Sequence, residues 1–62
     1  MDKIAVVILN WNGCDMLRSF LPSVVRFSYA DGAVVYVADN GSTDASLAIL
    51  RREFPYVNLI LL

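Results

Sequence analysis

The chain has 62 residues, is 58% hydrophobic and carries a formal net charge of -1. That balance excludes a disordered polar tail and, with Arg51-Arg52 the only adjacent basic pair, it excludes a charge-driven nucleic-acid binder. One cysteine, Cys14, and no histidine rule out an internal disulfide and a zinc site built from thiolate and imidazole donors.

Met1-Asp2-Lys3 followed by the short apolar run Ile4 to Leu9 does not make a signal peptide, because the run leads into Asn-Trp-Asn with no small-residue cleavage site. No apolar run approaches the roughly 20 residues of a membrane span. A cytoplasmic protein is expected, with any membrane association left to sequence beyond Leu62.

In chain order, Ile4-Ala5-Val6-Val7-Ile8-Leu9 is continuously apolar, the pattern of a parallel strand covered on both faces, and is expected to be central in its sheet. Asn10-Trp11-Asn12-Gly13 follows as a polar loop. From Asp15 to Ser28, the residues Leu17, Phe20, Leu21, Val24 and Val25 fall on one face of a helix. Pro22 inside that stretch lacks the N–H that would bond the Arg18 carbonyl, so a kink or restart is expected there. Asp31-Gly32 is a turn.

Val34-Val35-Tyr36-Val37-Ala38 is a second buried strand and runs into Asp39-Asn40-Gly41-Ser42-Thr43-Asp44. A helix starting near Thr43 or Asp44 places Leu47, Leu50 and Phe54 on one face with Ile49 beside them, and Pro55 ends it. Val57 to Leu62 is a third strand. The order β-α-β-α-β implies a doubly wound parallel α/β sheet. A single core this small is marginal, since about 60% of the unfolded chain's surface is buried at such lengths. The last strand stops without a turn or polar tail, so the chain reads as the front of a larger domain. Open sheet edges and helix faces then make self-association of the piece an expectation.

Ligands of open parallel sheets bind outside the carboxyl ends of the strands, where both polar loops lie. Trp11, between two asparagines and before a glycine, offers a flat face for a nucleobase; packing over the edge of the first helix is its structural reading. Asp39 and Asn40 offer acceptors and a donor to a base edge or a ribose hydroxyl, or else simply shape a turn. Gly41, Ser42 and Thr43 are read as turn formers, and Asp44 as a helix cap. Cys14 is read as a buried structural thiol, and the four arginines as solvated. No G-x-G-x-x-G or phosphate-loop pattern is present.

Taken together, the aliphatic strand into Asn10-Trp11-Asn12-Gly13, then Leu17, Leu21 and Ser23-Val24, then Val35 through Ser46, resemble the N-terminal part of family 2 glycosyltransferases. The resemblance covers essentially the whole chain. It implies a GT-A, Rossmann-like nucleotide-diphospho-sugar transferase fold, with residues 1-62 as the N-terminal part of one catalytic domain. It implies a nucleotide-diphosphate sugar donor, a carbohydrate or lipid-linked acceptor and inverting transfer to a hydroxyl.

The implied nucleotide-binding residues are Asn10, Trp11, Asn12, Asp39 and Asn40. Asn40 stands where a second acid is commoner, and Trp11 where tyrosine is more usual. A divalent metal, Mg or Mn, is implied for the complete enzyme, with its ligands and the catalytic base beyond Leu62. The competing class is a non-catalytic receiver-like signalling or interaction module. It is disfavoured because the first loop offers asparagines where such a module needs acids. A sugar-nucleotide pyrophosphorylase lacks its glycine-rich loop here.

Overall fold

The computed structural model describes residues 4–62; Met1-Asp2-Lys3, weighed above as the start of a signal peptide, lies outside the described residues. Five elements follow in order: β1 (Ala5–Asn10), α1 (Cys14–Ala30), β2 (Val34–Asp39), α2 (Ser46–Glu53) and β3 (Asn58–Leu61). The three strands are parallel in the order β1-β2-β3. Among the described residues no helix is long and apolar enough to cross a membrane.

Both helices pack on the same face of this sheet. Leu17, Leu21 and Val25 of α1, together with Ile49 and Leu50 of α2 and Phe54 just after it, form one core with Val35 and Val37 of β2, Val6 and Ile8 packing beside them from β1 and Leu59 from β3. The topology explains it: two crossovers of the same hand that step in one direction across a sheet must both lie on one side. The doubly wound arrangement, with helices on both faces, is therefore corrected for the described residues to one helical layer on one sheet. Val7 and Leu9 point to the opposite face and are 63% and 70% exposed.

The expected central place of the first strand is corrected as well. β2 is central, flanked by β1 and β3, and β1 alternates between exposed and half-buried residues. An unbroken apolar run says that both faces suit burial, and it carries no information about how many neighbours the strand has in this sheet.

Helix α1 runs through Pro22 without a restart. Pro22 is exposed, so the Arg18 carbonyl that it leaves unpaired faces water, which satisfies it. Helix α2 begins at Ser46, two or three residues later than the expected start near Thr43 or Asp44, because those two residues are drawn into contacts with the first loop.

Candidate functional site

Parallel pairing in register brings Asn10 opposite Asp39 at the last rung of β1 and β2. The ladder continues one step further, with the Asn40 N–H donating to the Asn10 carbonyl at 2.9 Å. Trp11 and Asn40 thus leave the sheet side by side at its carboxyl rim, as the strand pattern predicts.

Beneath them lies a closed polar network. The Asn10 amide donates to Asp39 Oδ1 at 2.9 Å and to the Ser42 hydroxyl at 3.2 Å. The Ser42 hydroxyl donates to Asp39 Oδ1 at 2.6 Å, and the Ser42 N–H donates to Asp39 Oδ2 at 2.9 Å. Asn12 completes the join between loops: its N–H donates to Ser42 Oγ at 2.9 Å, while its own Oδ1 accepts from the N–H groups of Thr43 at 2.7 Å and Asp44 at 3.1 Å. Asn12 holds this position with φ 50, a left-handed conformation that asparagine tolerates better than most residues.

Asp39 is 2% exposed and Asn10 5% exposed. Burial raises the Asp39 pKa, but bonds from the Ser42 hydroxyl, the Ser42 N–H and the Asn10 amide outweigh it and leave the carboxyl below its ordinary value. Charge is retained because the donors replace water. Asp39 is accordingly a loop-holding anion whose two oxygens both accept hydrogen bonds from the rim. The Asp-to-Ser spacing of three residues is the sequence signal for this turn, and Ser42 goes beyond a turn former by bonding to both loops. Ser42 is the hub.

Asp44 joins the two helix starts. Its Oδ1 accepts from the Ser46 N–H at 2.8 Å and its Oδ2 from the Cys14 N–H at 3.2 Å. Its pKa is lowered first by the Ser46 hydroxyl, then, against partial desolvation, by the Ser46 and Cys14 N–H groups. The firm contact from Ser46 is its backbone N–H, since its hydroxyl is buried without a hydrogen bond of ordinary geometry. Cys14 is half-buried, and its thiol is pushed up by burial and then by the neighbouring charges of Asp44 and Asp15, which makes it a poor nucleophile.

Of the five sequence-assigned residues, Trp11 at 66% exposed and Asn40 reach the surface with side chains free of hydrogen bonds to other described residues. Asn10 and Asp39 are buried supports, and Asn12 is exposed but committed through its carbonyl oxygen to the second loop. No group of three or more His, Cys, Asp or Glu side chains converges among the described residues. A cavity of about 290 Å³ lies at the other end of the sheet, lined by Leu50, Arg51, Phe54, Pro55, Val57 and Leu59, and takes no part in the rim. No protein-family model, curated protein or solved structure matches the chain.

Proposed function

We propose that this chain is the nucleotide-side wall of a cytoplasmic glycosyltransferase that resembles family 2 enzymes. The complete protein transfers a sugar, with inversion, from a nucleotide-diphosphate donor to a hydroxyl of a carbohydrate or lipid-linked acceptor. The observation that supports this reading best is the exposed Trp11 indole beside the exposed Asn40 amide, both at the carboxyl rim of a parallel sheet. The indole stacks on the nucleobase, a contact worth about 1–3 kcal/mol. The Asn40 amide supplies one donor and one acceptor to the base edge or ribose.

Asn10, Asp39, Ser42 and Asn12 act beneath them by fixing the loop before the ligand arrives, which removes an ordering cost from binding. In this reading the acceptor hydroxyl attacks the anomeric carbon from the face opposite the departing nucleoside diphosphate, and none of the rim residues is assigned as the base that takes its proton. The rim does not fit the divalent metal expected of the complete enzyme, because the oxygens of Asp39 and Asp44 already accept from N–H and O–H groups. The metal's ligands are assigned outside these residues.

Trp11 is the only tryptophan, so its emission reports directly on the site. Titration with UDP, dTDP and GDP should give a saturable change for at least one of them. Calorimetry on Trp11→Ala should then show affinity lower by roughly 5- to 150-fold, the range that 1–3 kcal/mol implies. Phe27→Ala, an exposed aromatic about 20 Å along α1 from its start at 1.5 Å per residue, should bind like the parent. Failure of every nucleoside diphosphate to bind, or an unchanged affinity for Trp11→Ala, refutes the proposal. The 62-residue chain alone should transfer no sugar.

A further inference from the structure

We infer that Asn40 is a site of spontaneous deamidation, selected by the fold over the other Asn-Gly pair in the chain. Asn12-Gly13 and Asn40-Gly41 are both followed by glycine, whose missing side chain lets the backbone nitrogen approach the preceding amide carbon. Local sequence makes the two equally reactive. The structure makes them different.

At Asn40 nothing restrains the reacting groups. The residue is exposed, as is Gly41, and within the described residues neither the Asn40 carboxamide nor the Gly41 N–H takes part in a hydrogen bond. Gly41 sits at φ +73 in open space, with no atom within 4 Å of where a Cβ would stand. Asn12 is the opposite case. Its Oδ1 is held across to the second loop by the Thr43 and Asp44 N–H groups, so its carboxamide must leave those bonds before turning back on its own chain. Of the remaining asparagines, Asn10 is buried and precedes the bulky Trp11, and Asn58 donates to the Val35 carbonyl and precedes Leu59.

The chemistry balances without an oxidant or cofactor. The Gly41 nitrogen forms a bond to Asn40 Cγ and gives up its proton to solvent. The Cγ–Nδ2 bond breaks and ammonia leaves, closing a succinimide. Water then opens the ring at either carbonyl, leaving an aspartyl or an isoaspartyl linkage. The product carries a new negative charge at the rim next to Asp39. This inference stands on the loop geometry alone and does not depend on what the rim binds.

The test is ageing of the folded chain in neutral buffer, followed by peptide mapping with mass spectrometry that separates aspartyl from isoaspartyl products. Amide-to-acid conversion should run at Asn40 ahead of Asn12 by at least roughly tenfold, the factor corresponding to about 1.4 kcal/mol, close to one net hydrogen bond. In denaturing urea the two sites should react at similar rates. Equal rates in the folded chain, faster reaction at Asn12, or a tenfold preference that persists in urea overturns the inference. Gly41→Ala, read by the same map, should slow conversion at Asn40, and an undiminished rate there also counts against it.

Discussion

Removing the Asp39 carboxylate tests whether it holds the loops or serves a ligand. Asp39→Ala takes away the acceptor of three hydrogen bonds, from the Asn10 amide, the Ser42 hydroxyl and the Ser42 N–H. Bonds to an ionised group contribute about 1.5–3 kcal/mol each, but the three losses are not equal. The Ser42 groups are only partly buried and recover water, and the Asn10 amide keeps its longer bond to Ser42 Oγ at 3.2 Å. A net loss of about 2–4 kcal/mol follows.

Set against roughly 0.05–0.15 kcal/mol per residue, that is a large fraction of what a 62-residue chain has. Urea unfolding followed by circular dichroism measures it. Ser42→Ala is the milder companion, expected to cost about 1–2 kcal/mol, and it remains measurable if Asp39→Ala unfolds outright. A loss below about 0.5 kcal/mol for Asp39→Ala, the range of ordinary surface substitutions, would refute the loop-holding role and return the carboxylate to ligand contact.

Three further outcomes are expected. Because the Asp39 pKa is lowered from its ordinary 3.8 on folding, its contribution to stability is fully present above that value and is lost as pH falls through the lower folded pKa. Acid unfolding should therefore be shallower in Asp39→Ala than in the parent, and identical acid limbs would contradict the linkage. Gly13→Ala should cost about 1–3 kcal/mol by urea unfolding, since the added Cβ would meet Asn10 Oδ1 at 2.6 Å and that amide is tied to Asp39 and cannot swing away; a neutral variant would show the loop yielding. Finally, the open sheet face bearing Val7 and Leu9 should drive concentration-dependent association in analytical ultracentrifugation, reduced by Leu9→Lys; a monomer at every concentration would argue against it.

The order of elements and the meeting of the two loops were legible because they depend on short-range signals: apolar runs, helical spacing, and glycine, asparagine and aspartate at turns. Trp11 was legible as exposed for the same reason, since its neighbours are all polar or glycine. The place of β1 and the side taken by each helix were not, because they depend on the direction in which the chain steps across the sheet, and no local pattern encodes that. The surroundings of Asp39 were only partly legible. A carboxylate at a strand tip is equally suited to a ligand and to a turn; the Ser42 bonds three residues on are a local signal, but the third comes from Asn10, twenty-nine residues away. Asn12 and Ser42 share this property, each acting on a partner that proximity along the chain does not reveal.

The placement of Asp44 reaches beyond loop geometry. Free amides at a helix start ordinarily attract phosphate, through their N–H groups and the positive end of the helix dipole. Here one carboxylate accepts from the opening N–H of both helices, so an incoming diphosphate would meet like charge in place of bare amides. On the proposed reading, recognition would divide accordingly: a base contacted at this rim, and the cations that neutralise the phosphates supplied from elsewhere.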